Sequence, residues 1–169
     1  MTPAQLLEDA YGRVLENGLA VVEGLDDDQL AARPAPDANS IAWLVWHLTR
    51  VQDDHVADVA GTPQVWTTQG YAARFALPLD EDDTGYGHSA EQVAAVRAGA
   101  EDLRGYLQAT HDATVTFLRT VAAEDLDRVV DTRWDPPVTL GVRLVSVVDD
   151  GAQHVGQAAY VRGLLAAGD

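Results

Sequence analysis

Apolar side chains recur at three- and four-residue intervals along four long stretches of the chain, and that spacing predicts four amphipathic helices. In the first, Leu6, Leu7, Val14, Leu15, Leu19 and Val22 share one face, with Thr2 ahead of Pro3 as a start signal, so helix one is expected over about residues 2 to 23. Gly24, Pro34 and Pro36 in "GLDDDQLAARPAPDANS" break it, and Asn39 or Ser40 can cap a second helix over about 40 to 60. From Gly61 to Ser89 the periodicity is lost, and Pro63, Gly70, Pro78, Gly85 and Gly87 predict a long irregular crossover of the kind that serves as a lid or pocket wall. Ser89 with Gln92 reads as a capping box, and Val93, Val96, Leu103, Leu107, Val115 and Leu118 carry a third helix to about Val121, with Gly99 and Gly105 expected to bend it. After the Pro136-Pro137 turn, Thr139 can cap a last helix over about 139 to 166. The expectation is an all-α four-helix bundle with a long crossover loop between helices two and three, forming one domain over residues 1–169.

The polar residues that interrupt the apolar faces carry the candidate chemistry. Asp150 and His154 are four apart and therefore neighbours on one helix face, and Val147, Val161 and Leu165 place that face at the apolar stripe. His47 lies among Trp43, Leu44 and Val51 at helical spacing, so it too points inward. Two histidines and a carboxylate from two helices can hold one metal ion and leave positions open for water or substrate. Taken singly, either histidine also reads as a core residue whose nitrogens find hydrogen-bond partners. The carboxylate is harder to place that way, because burial disfavours its charge unless a metal or an imidazolium pairs with it. Adjacent Asp149 lacks the four-residue spacing and reads as solvated or as a support behind the ligands.

Composition narrows the chemistry. The chain has no cysteine, so it has no disulfide, no thiolate ligand and no thiol nucleophile of its own. Its net charge of −16, with scattered bases, argues against nucleic acid as a partner. No segment has the length and apolarity of a membrane span, and "MTPAQLLEDAYGR" lacks the order of a signal peptide, which points to a soluble cytoplasmic protein. All the bases are arginine and alanine is abundant, a composition that fits a GC-rich coding sequence.

The segments "WLVWHLTRVQ" and "DDGAQHVGQAAYVRGLL" resemble the DinB-like (YfiT-like) metalloenzyme superfamily, in the branch around mycothiol-dependent maleylpyruvate isomerase and related thiol S-transferases. The resemblance extends over nearly the whole chain in helix order and loop placement. It implies that His47, Asp150 and His154 are the metal ligands, with Asp where this branch usually has Glu. It further implies a divalent ion, zinc first and nickel as the alternative, and mycothiol as the thiol that the chain itself lacks. The function so implied is a metal-dependent transferase or isomerase that activates mycothiol toward a small electrophile docked under the 61–89 loop. A non-catalytic ligand-binding or dimerisation module and a metal-dependent hydrolase are the competing readings. Members of the superfamily commonly pair, so a homodimer is a further expectation.

Other residues receive lesser roles. Gln157 can hydrogen-bond a ligand or a metal-held water or stand exposed on its helix, Asp54 can orient the His47 imidazole, and Arg74 in the crossover can meet a substrate carboxylate or pair with a surface acid. His55 is a stand-in ligand or a solvated residue, while His88 and His111 have no partners at ligand spacing. Trp46, Trp66, Tyr71 and Trp134 read chiefly as core or pocket wall.

Overall fold

A computed structural model describes residues 1–167. Its four long helices are α1 (Pro3–Val22), α3 (Ile41–Ala60), α7 (Ala100–Leu118) and α8 (Leu140–Ala167). Short helices α2 (Asp27–Ala31), α4 (Val65–Thr68), α5 (Tyr71–Phe75) and α6 (Ala90–Ala95) lie between them. The protein is an all-α four-helix bundle. In it α3 packs on both α7 and α8, and α1 closes the square against the same two helices, so α1 faces α3 across the core.

The helix starts follow from side chains that take up otherwise orphaned amide groups. Thr2 and Gln5 form a capping box ahead of α1, Ser40 accepts the Trp43 amide at the start of α3, and Ser89 with Gln92 repeats the box ahead of α6. The expected third helix is divided: its first part, α6, ends at Val96 in extended backbone, and Gly99 stands at the start of α7. The apolar period runs through the break because Val93, Val96 and Leu103 all reach the core from either side of it. The crossover likewise contains α4 and α5, which bury Val65, Trp66, Tyr71 and Phe75.

A 3₁₀ turn at Ala123–Asp127 leads into a two-stranded antiparallel hairpin, β1 (Val129–Asp131) with β2 (Val138–Thr139). Strands this short leave too few alternating positions for a sequence pattern to reveal. The hairpin runs directly into α8, where the Leu140 amide donates to the Arg128 carbonyl at 2.8 Å. Among the described residues no helix is long and apolar enough to cross a membrane.

Candidate metal centre

His47 on α3 and Asp150 and His154 on α8 meet where these two helices pack together. One ligand atom from each lies within 4.8 Å of the other two. The two imidazole rings are 4.7 Å apart at an interplanar angle of 76°. This is the group that the helical spacing and the resemblance singled out.

Each ring is held through its Nδ1. In His47, Nδ1–H donates to the Thr84 carbonyl, and the ring stacks on Trp43 at 4.6 Å and 14°. In His154, Nδ1–H donates to Oε1 of Gln157 at 3.1 Å. In the neutral rings both assignments put the lone pair on Nε2, the tautomer that a metal ligand needs. Burial pushes the His47 pKa below its ordinary value, against the opposing effect of the Thr84 bond, and so keeps the ring neutral. His154 is shifted upward, first by the Asp150 carboxylate, whose Oδ1 lies 3.4 Å from Nε2.

The carboxylate tests whether a cation fits. Asp150 Oδ1 faces His154, but Oδ2 is buried and has no hydrogen-bond partner among the described residues. An imidazolium at His154 would pair with Oδ1 and leave Oδ2 unsatisfied, at a cost of about 1–3 kcal/mol or more. A cation between the three side chains would meet an oxygen lone pair and two imidazole lone pairs, a donor set that suits zinc. The residues present therefore fit a divalent ion.

The turn that carries Thr84 is fixed from several sides. Gly85 has φ +92°, and a Cβ there would lie 2.7 Å from Nδ1 of His47 and 3.0 Å from the Trp46 ring. Glycine is thus required both by its backbone and by the close approach. The Asp83 carboxylate accepts from the Gly85 amide at 2.7 Å and from Nε2 of His88 at 2.9 Å. Burial works against ionising Asp83, but these hydrogen bonds outweigh it and hold the carboxyl below its ordinary range. Nδ1 of His88 in turn accepts from Nε1 of Trp43 at 3.0 Å, which ties the turn back to the helix that carries His47.

A second set of contacts under this turn went unforeseen. Arg50, wholly buried, donates through Nε to the Asp83 carbonyl and through Nη1 to Gln64 and Tyr106, with Trp66 5.0 Å from its guanidinium. Asp53 accepts the Val65 and Trp66 amides at the start of α4 and the Tyr106 hydroxyl. An arginine and an aspartate three apart, just after the apolar run from Ile41 to Leu48 that only His47 interrupts, were the available signal.

His47 and Asp150 sit in the floor of a cleft of about 670 Å³. Thr84 and Tyr86 come from the crossover, while Asp131, Arg133, Trp134 and Val138 come from the hairpin, so the hairpin supplies a wall that was expected from the 61–89 loop alone. Arg143 of α8 donates to Nδ1 of His55 at 2.9 Å and to Asp131 at 2.9 Å, and Arg133 grips the same carboxylate with two nitrogens. These bonds, those from Arg133 foremost, hold Asp131 far below the ordinary carboxylate range. Burial and the neighbouring Arg143 push His55 down, so it lines the cleft as a neutral acceptor for Arg143.

The remaining candidates fall elsewhere. Asp54 lines the cleft but accepts from Gln64 at 2.8 Å, and the orienting acceptor for His47 is the Thr84 carbonyl instead. Backbone carbonyls carry no sequence signature, which is why a carboxylate was expected. Gln157 serves His154. Arg74 does not line the cleft: it pairs with Asp102 at 2.5 Å and lies over Tyr71. Trp46 and Trp66 are core residues, Tyr71 packs with Phe75 and Tyr106, and Trp134 is exposed at the cleft.

A crystal structure described as the conserved protein of locus from Enterococcus faecalis superposes with a TM-score of 0.91 at 33% identity, covering 97% of each chain. No curated protein matches the chain. Residues 6–167 match the family model described as mycothiol-S-transferase, and the chain belongs to that family.

Proposed function

We propose that this protein is a metal-dependent thiol S-transferase in which His47, Asp150 and His154 hold a divalent ion, zinc in preference to nickel, and mycothiol is the thiol substrate. The observation that carries the proposal is the buried Oδ2 of Asp150, without a hydrogen-bond partner among the described residues, on a carboxylate that brings a ligand atom within 4.8 Å of two imidazoles whose Nδ1 atoms are already engaged. When bound, such an ion lowers the pKa of a coordinated thiol so that it is a thiolate near neutral pH. The chain's own residues supply the setting. Thr84 and Gln157 fix the ring orientations, Trp43 shields one face of His47, and burial keeps His47 neutral. With no cysteine in the chain, the thiol has to enter from solution. The cleft above His47 and Asp150 has room for it and for a small electrophile, with transfer to carbon or thiol-assisted isomerisation as the outcome. The reaction is assigned to one cytoplasmic domain that spans the chain.

The test replaces zinc with Co²⁺ and adds mycothiol. A sulfur-to-cobalt charge-transfer band in the near ultraviolet, lost in His47→Ala, is the expected result. Bound cobalt with no such band at saturating thiol would reject the thiolate reading in favour of water activation or simple ligand storage.

A further inference from the structure

We propose that Trp134 and Tyr86 form a ring-stacking subsite at the mouth of the cleft, and that it takes the neutral, polyhydroxylated head of the thiol whose sulfur reaches the floor. The identity of the ligand rests on the thiol reading above; the subsite rests on the two aromatic side chains and their surroundings.

Three of the chain's four tryptophans are buried in the core, whereas Trp134 is 66% exposed. Tyr86 is 94% exposed. Both line the same cleft, and they reach it from different segments, one from the hairpin turn and one from the crossover. The backbone beneath each ring is constrained. Trp134 follows Arg133, which is tied to Asp131 through its backbone amide and two guanidinium nitrogens. Tyr86 lies between Gly85 and Gly87, both at positive φ, in the turn pinned by Asp83 and His88. Large rings left in water on anchored turns lose little conformational freedom when a ligand covers them, and aromatic faces give up water at a gain. A buried pair at this place would be core; an exposed pair at the mouth of a cleft is a platform.

The polar groups around the platform select the class of ligand. Arg133 has two nitrogens on Asp131 and the rest of its guanidinium in solvent, and Asp54, which lines the same cleft, is half-exposed. Donors and acceptors are therefore both on offer, the requirement for hydroxyl groups. Two arginines, Arg133 and Arg143, face three carboxylates, Asp54, Asp131 and Asp150. A divalent ion and one thiolate bring that set to neutrality, so the head needs no charge. A flat apolar molecule would cover the aromatic faces but strip water from Arg133 and Asp54 without replacing it, an unfavourable exchange. A sugar-like ring has a C–H face for stacking and an equatorial rim of hydroxyls for those two groups.

The probe is the thiol-free head of mycothiol with its amine capped, N-acetylglucosaminyl-inositol, with N-acetylcysteine amide as the headless thiol and 1-naphthol as a flat apolar control, titrated by calorimetry and saturation-transfer NMR. Wild type is expected to bind the head with or without zinc. Trp134→Ala should weaken that binding at least tenfold, Tyr86→Ala several-fold, and Trp134→Phe little. In turnover, Trp134→Ala should raise KM for mycothiol by a larger factor than for N-acetylcysteine amide. No binding of the head by wild type, binding undiminished in Trp134→Ala, or Trp134-dependent binding of naphthol alone would each overturn the subsite, the last by assigning the mouth to the electrophile. Head binding that survives in a protein lacking the cobalt charge-transfer band would support the subsite while rejecting the thiolate reading.

Discussion

Nδ1 of His47 is held by the carbonyl oxygen of Thr84, 37 residues further along the chain, and no side chain of the bundle does that work. A helix residue thus takes its tautomer from a loop backbone, and the geometry of that loop becomes part of the candidate metal centre. Gly85→Ala is expected to lower zinc affinity about 10–100-fold, the usual cost of losing an outer partner of a metal-bound histidine. The added Cβ would sit 2.7 Å from Nδ1 of His47 in a backbone conformation that alanine resists. A chelator competition assay measures the change, and unaltered affinity would show that Thr84 is not what orients the ring.

His88 acts one step further out. It joins Trp43 to Asp83 and so locks the turn that carries Thr84. His88→Ala should cost a few-fold in zinc affinity, and His88→Gln, which can still donate to Asp83, should recover part of the loss. Cobalt ligand-field spectra add a readout that folding alone does not move: the bands should broaden in His88→Ala and sharpen again in His88→Gln. Spectra identical in all three proteins would confine His88 to a packing role.

The Asp150 carboxylate separates a metal ligand from a mere partner of His154. Purified protein is expected to carry close to one divalent ion per chain, retained in Asp150→Glu and mostly lost in Asp150→Ala and His154→Ala. Elemental analysis with calorimetric titration gives the answer, and equal occupancy across the set would remove Asp150 and His154 from the ligand sphere.

Much of this was open to sequence reading. The bundle and the meeting of His47, Asp150 and His154 were legible because helical spacing is a local property: Asp150 and His154 need only a single helix to become neighbours, and Trp43 and Val51 reveal the face of His47. The break at Val96 to Gly99 was concealed because both halves bury their valines in one core, so the apolar period continues across it. The hairpin wall was invisible at two and three residues per strand. Arg74 stayed open between two readings because a cation in a loop looks the same in sequence whether it meets a substrate or, as here, a surface acid, Asp102. The Thr84 carbonyl left no trace, since any residue could supply it.

The two histidines should titrate on opposite sides of the ordinary histidine value in metal-free protein. His154 is raised, chiefly by Asp150, and His47 is lowered, chiefly by burial. For His154 the folded value exceeds the unfolded one, so its contribution to stability is present in full below the unfolded value of about 6.5 and is lost as pH rises through the folded one. For His47 the sign reverses: stability is lost as pH falls below about 6.5 toward its folded value. Zinc needs both rings neutral, so its affinity should begin to fall, on acidification, already above pH ~6.5, where His154 takes up its proton. NMR of the imidazole Cε1 protons resolves each ring, and Asp150→Asn should bring the His154 midpoint down. A His154 midpoint indifferent to that substitution would contradict the contact.

The crossover should depend on Arg50 more than on any other single side chain. Among the described residues its guanidinium is the one group that reaches Gln64 near the start of the segment, the Asp83 carbonyl near its end, and Tyr106 of α7. Arg50→Met preserves much of the volume but leaves the Asp83 carbonyl and the buried Asp53 carboxylate without their cation, a loss on the order of 3–5 kcal/mol for breaking a buried pair. The surrounding aromatics, Trp66 above all, would still pack, so the bundle is expected to fold with a lower urea midpoint. Because Asp83 also anchors the turn that holds His47, the same variant should bind zinc more weakly and admit protease between Ala76 and His88. Arg50→Lys, with a point charge in place of a fork, should fall between the two. If Arg50→Met lowers stability while zinc affinity and cleavage pattern stay as in wild type, then Arg50 supports the core alone, and the coupling from α3 through Asp83 to the metal centre is refuted.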